Sequence, residues 1–139
     1  MTPQTQLISH CPPLRWGDCW RTCIAMILDL PAEEVPHFLY DGLSNKIAIE
    51  RARSWLKERG LGVISFTLNS KMPAEDAEIM FGDTHYVLSG VSNNFPDVWH
   101  SVVAKGHFQM VHDPSPKRDG VRPQPDVAGI YAVDFIVRI

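Results

Sequence analysis

The chain predicts an α+β fold, with helices in its first half and an antiparallel sheet in its second. Three observations carry that reading. Residues 18–30 are apolar at helical spacing and on nearly every side. Residues 46–59 carry a narrower helical stripe. From residue 63 onward the pattern changes to short runs rich in Val, Ile, Phe and Tyr, bounded by turn residues. Helices followed by strands, without βαβ alternation, define an α+β arrangement. A length of 139 residues suits one domain, 1–139, with one core.

Residues 1–17 read as an irregular lead-in, because Pro12-Pro13 forbids a regular helix. In the helix over 18–30, Trp20, Cys23, Ile24, Ile27 and Leu28 follow helical spacing, and Ala25, Met26 and Leu30 make the other sides apolar. Only Arg21, Thr22 and Asp29 are left to face water, which marks a buried central helix. Asp18 is its natural N-cap. Pro31-Ala32-Glu33-Glu34 begins a short second helix, with proline and acids in the first turn. In the helix over 46–59, Ala48, Ala52, Trp55 and Leu56 form the stripe and Gly60 is the stop. Strands are predicted over 63–68, 85–91, 98–105, 108–112 and 130–137. Residues 69–83, 92–97 and 114–129 read as loops, the last holding four prolines and two glycines.

Apolar residues make up 45 % of the chain and charged residues 21 %, which excludes a disordered class. The net charge of −3, with no basic run or face, argues against nucleic acid as a partner. No apolar stretch is long enough to span a bilayer, so no membrane partner is expected. The first residues lack a basic-then-apolar signal pattern, and a cytoplasmic location is expected. The oligomeric state is left open by the sequence.

Cys11, Cys19 and Cys23 are odd in number and crowded near one end, a poor disulfide framework that fits a reducing compartment. Cys19 and Cys23 are one helical turn apart, but only Cys19 sits in the first turn, where unpaired N–H groups favour an anion. Cys23 reads as a small core residue. A zinc site from His10, Cys11, Cys19 and Cys23 is the structural alternative, and its spacing matches no familiar zinc pattern. No metal or cofactor is expected.

Of six histidines, His100 opens a strand whose hairpin partner ends in Asp113-Pro114. His85, also at a strand start, is the rival base. The turn near Lys105-Gly106 decides whether His100 and Asp113 meet. A two-residue loop pairs His100 with Val111 and puts Asp113 on the face of His100 one diagonal step away. A four-residue loop puts the two directly opposite. A three-residue loop brings His112 onto that face and turns Asp113 away. Asp-Pro is also a common strand terminator on its own. A thiol at a helix start with a histidine and an acid downstream is the constellation of a thiol nucleophile, its base and the base's orienting group.

Gly17-Asp18-Cys19-Trp20-Arg21-Thr22-Cys23-Ile24-Ala25 resembles the nucleophile helix of papain-like cysteine peptidases, in particular the compact C39-like and NlpC/P60-like branches. His100-Ser101-Val102-Val103 and Val111-His112-Asp113-Pro114 resemble their histidine strand and following Asp-Pro. The stretch from Leu28-Asp29-Leu30-Pro31 to Val35-Pro36-His37-Phe38 is similar to small phage and bacterial proteins of that kind. The resemblance implies a papain-like fold, with a buried nucleophile helix packed on a C-terminal antiparallel sheet. It also implies a Cys19–His100–Asp113 triad that hydrolyses an amide, peptide or isopeptide bond of a protein or peptide substrate. The family's oxyanion glutamine stands a few residues before the nucleophile, whereas residues 12–17 contain none. Gln6 or Gln4 folding back is the candidate replacement, with Gln6 the better placed. Deamidation, acyl transfer to an amine, and a vestigial site kept as a binding module are the alternatives.

Overall fold

The computed structural model describes residues 1–95, 98–124 and 129–139. The described residues form three α-helices and a six-stranded, wholly antiparallel sheet. Helix α1 spans Cys19–Ile27, α2 Asn45–Lys57 and α3 Ala74–Phe81. Strands are β1 Leu61–Asn69, β2 Tyr86–Ser92, β3 Trp99–Lys105, β4 Gln109–His112, β5 Val121–Arg122 and β6 Ile130–Arg138. The sheet order is β1-β6-β2-β3-β4, with β5 paired to the end of β2. No helix among the described residues is long and apolar enough to cross a membrane.

Helix α1 is the core element the sequence predicts: Cys23, Ile24, Ala25 and Met26 are fully buried. It ends at Ile27 rather than at residue 30. Asp29 adopts a left-handed conformation (φ 55°), Leu30 N–H donates to Ala25 O and Asp29 N–H to Met26 O. That is a Schellman stop made without glycine, so its usual sequence signal is missing. Thr22 and Arg21 do not face water as expected. Thr22 is buried and donates its hydroxyl to Asp18 O, and the Arg21 side chain is held by Asp18 and Val35 O.

The second predicted helix is a single 3-10 turn, Ala32–Glu34. Helix α2 starts on Ser44, whose hydroxyl accepts from Ile47 N–H, and Gly60 follows its end with φ 72°. Helix α3 falls inside residues 69–83, which were expected to be a loop. Its Ala77 and Phe81 are buried against Tyr86 and Leu88. Strand β5 lies inside the expected loop over 114–129. Gly90 admits it, since a Cβ at that position would stand 2.4 Å from Arg122 O. Residues 96–97 and 125–128 of the expected loops lie outside the described residues.

The helix-facing side of the sheet changes character along its strands. One cross-strand row is Ser65–Asp134–Val87–Val103, and the next is Thr67–Ala132–Ser89–Ser101. Val87 and Val103 pack into the core under α1. The Thr67–Ser101 row is made of small side chains, which cannot fill the space between sheet and helices. A cleft of about 600 Å³ lies over it.

Candidate active site

The cleft is bordered by the start of α1, by residues 6–17, by the rows just described, and by the starts of β3 and of the segment after β4. Cys19, His100, Asp113 and Gln6 all line it. The sequence placed these four residues far apart along the chain, and the fold brings them to one cavity.

His100 and Asp113 meet by a route that loop length alone does not give. The turn between β3 and β4 is the three-residue Gly106-His107-Phe108, following the Lys105–Gln109 pair. Gly106 and Phe108 both have positive φ, 56° and 54°. The buried Tyr86 hydroxyl accepts from Phe108 N–H and donates to Gly106 O, fastening this turn from inside the sheet. Such a loop was expected to turn Asp113 away from His100. A β-bulge reverses the outcome: Ala104 pairs with Met110 but Val103 pairs with His112, so Val111 is an extra residue. One inserted residue flips the parity of everything beyond it, and Asp113 returns to the face of His100. His100 Nε2 then donates to Asp113 Oδ1 at 2.6 Å. The residue paired with His100 is Gly90, which sets no side chain beside the ring.

Asp113 is 1 % exposed, and both oxygens of its carboxylate accept hydrogen bonds. Oδ1 also accepts from Ser115 N–H at 2.8 Å, and Oδ2 accepts from Gly120 N–H at 2.8 Å. Burial works to raise its pKa, but the charge and hydrogen bond of His100 and the two backbone N–H groups outweigh it, leaving the carboxyl below its ordinary range. Burial works to lower the His100 pKa. Hydrogen bonding and charge from Asp113 and from the Cys19 side chain reverse this and push it up to about 10. The ring is therefore an imidazolium at neutral pH. With Nε2 on Asp113, Nδ1 is the nitrogen left to exchange a proton with Cys19.

Cys19 is partly exposed to the cleft. Cys23, one turn on, is completely buried; desolvation and the nearby Cys19, Asp113 and Asp134 push its thiol pKa well up, so it stays protonated. Cys11 lies exposed in the tight turn closed by the Cys11–Arg15 pair. All three thiols are free, and no cluster of metal-binding side chains occurs among the described residues. His85 is at the other end of the sheet, where its charge acts on Asp29 beyond the end of α1.

Asp18 makes no side-chain cap bond. Its buried carboxylate instead accepts from Ile8 N–H at 2.8 Å and from Arg21 Nε at 2.8 Å. The residue expected to cap the helix thus ties the lead-in to it. Gln6 is carried to the cleft by that tie and by its own N–H on Pro114 O. Its Nε2 donates to Ile8 O at 2.7 Å, while Oε1 is buried with no partner among the described residues. Gln4 is spent elsewhere, bridging Leu30 O and Ala32 N–H.

Two cleft residues escaped the sequence reading. Asp134 sits on β6 with Oδ2 accepting from Trp20 Nε1 at 3.0 Å and Oδ1 accepting from Ser65 Oγ at 2.6 Å. Gly120 donates to Asp113. The first had a signal, a lone acid in the otherwise uncharged run Ile130–Val137. The second had none. Comparison of the chain with family models, with curated proteins and with solved structures returned no match.

Proposed function

We propose that the protein is a cysteine-dependent hydrolase of amide, peptide or isopeptide bonds, with a papain-like arrangement of helix and sheet. The observation that carries this reading is the buried His100–Asp113 pair, held charged in a cleft that also holds the first-turn thiol of a buried helix. A surface ion pair would mean little, but the imidazole and carboxylate are 12 % and 1 % exposed, which takes them out of solvent screening.

The reaction begins with attack of the Cys19 thiolate on the acyl carbon, forming a C–S bond and a tetrahedral oxyanion. Backbone N–H groups in the first turn of α1 have no partner within the helix and are suited to receive that charge. Gln6 Nε2 has a second hydrogen beyond the one given to Ile8 O and is the side-chain candidate for the same task. Imidazolium Nδ1–H protonates the leaving amine as the C–N bond breaks, giving a thioester and a neutral ring. The ring then takes a proton from water, and the hydroxide attacks the thioester carbon. The carboxylic product leaves, and thiolate and imidazolium are restored. Asp113 stays ionised and fixes the ring by accepting from Nε2. Protein or peptide substrates in a cytoplasmic setting complete the proposal.

An activated ester tests the chemistry before any natural substrate is known. With p-nitrophenyl acetate we expect a burst of p-nitrophenol equal to the protein concentration and an acetyl group on Cys19 by peptide mapping. Cys19→Ala and His100→Ala should each remove the burst. An unchanged burst in Cys19→Ala, or acetylation elsewhere, refutes the proposal.

A further inference from the structure

We propose that Asp134 forms a subsite for a primary alkylammonium group, so that the cleft selects a substrate bearing a lysine-like side chain or an amino group beside the bond attacked at Cys19. This deepens the hydrolase reading and rests on it for the meaning of the subsite. The carboxylate lies in the helix-facing row of the sheet and lines the same cleft as Cys19. Its two donors are both neutral, the Trp20 indole and the Ser65 hydroxyl. Each carboxylate oxygen takes one hydrogen bond and has capacity for another.

No cation balances it among the described residues. Arg21 is engaged by Asp18 and Val35 O, and Lys117 reaches Asn94 instead. A buried carboxylate without a counter-charge is costly. The raised pKa of Asp134, driven by burial against the two hydrogen bonds, registers that cost. By contrast, Asp18 and Asp113 in the same cleft each have a cationic partner. An entering ammonium supplies the missing charge and uses the spare acceptor positions. The small side chains Thr67, Ala132 and Ser89 in the adjoining row leave room for an unbranched aliphatic stem. Trp20 connects the subsite to the chemistry, being adjacent to Cys19 in sequence and bonded to Asp134.

The Trp20 indole N–H is a direct reporter by heteronuclear NMR. The wild-type protein is titrated with n-butylammonium and with the similarly sized neutral 1-pentanol. We expect a saturable shift of the Trp20 indole resonance, with at least about tenfold tighter binding of the ammonium. Asp134→Asn should remove that preference. Equal response to the two probes in the wild-type protein overturns the proposal even if Asp134→Asn fails to fold, and leaves Asp134 as a tie between α1 and the sheet. A preference that persists in Asp134→Asn overturns it as well. The ester burst separates this from the hydrolase reading: an ammonium preference without a Cys19 burst keeps the subsite and discards the hydrolase, and a burst without the preference does the reverse.

Discussion

Asp113→Asn exchanges one oxygen for an NH2 at a site where both carboxylate oxygens accept hydrogen bonds. The carboxylate receives His100 Nε2 and Ser115 N–H on one oxygen and Gly120 N–H on the other. If the amide oxygen keeps the first pair, its NH2 faces Gly120 N–H, donor against donor. If it is flipped, two donors are opposed instead of one, so the first orientation is preferred. Leaving one buried N–H unpaired costs about 1–3 kcal/mol. The imidazolium also loses its counter-ion, and removing one partner of a buried pair costs about 3–5 kcal/mol. These terms overlap because the amide still accepts from the ring, so we expect a loss of about 3 kcal/mol. Denaturant titration of both proteins measures the loss, and NMR titration of the His100 ring should show its pKa falling from about 10. A loss below about 0.5 kcal/mol, within the range of ordinary surface substitutions, together with an unmoved His100 titration, would mean that Asp113 is not the counter-ion of His100.

Deleting Val111 should remove the bulge, turn Asp113 off the face of His100 and abolish the ester burst. Val111→Ala, which keeps the extra residue, should preserve the burst, and equal loss in both variants would assign the effect to packing instead. Ile24→Ala should cost about 2–5 kcal/mol, the usual range for emptying a buried aliphatic site, since Ile24 is completely buried. Ile27→Ala should cost less because that side chain is only partly buried, and the reverse order by thermal unfolding would contradict the orientation of α1. The His100 pKa is raised from 6.5 to about 10, so its contribution to stability is complete below pH 6.5 and is lost as pH rises towards 10. The lowered Asp113 pKa has the opposite sense, contributing above its ordinary range and losing that contribution as pH falls through the lowered value. The stability difference between wild type and His100→Ala should therefore shrink from pH 6.5 to 10, and a flat difference over that interval would contradict the ion pair.

Much of the fold was legible because it rests on periodicity. Helix α1 announces itself by apolar residues on nearly every side, and α2 by its stripe and Gly60, while the cap at Ser44 went unread. Helix α3 was legible and overlooked. Pro73, Glu75 and Asp76 are first-turn residues, but eight residues with only Ala77 and Phe81 buried make a weak stripe. The positions of Cys19, His100 and Asp113 on a helix start and two strand ends followed from local pattern. Their meeting did not, because strand register depends on the Tyr86-braced turn and the bulge at Val111, which are tertiary features. Asp18 shows the same limit. Its place before a helix predicts a cap, while the folded lead-in offers Ile8 N–H and the helix itself offers Arg21 as donors to the carboxylate.

The proposed role of Cys19 as the nucleophile served by His100 is tested by alkylation with iodoacetamide across graded pH, read by peptide mapping. At pH 6–7 Cys19 should be modified well ahead of Cys11 although Cys11 is the more exposed thiol, Cys23 should remain unmodified, and His100→Ala should erase the lead of Cys19. Modification of Cys11 as fast as Cys19, or a lead that survives His100→Ala, would mean that His100 does not activate Cys19.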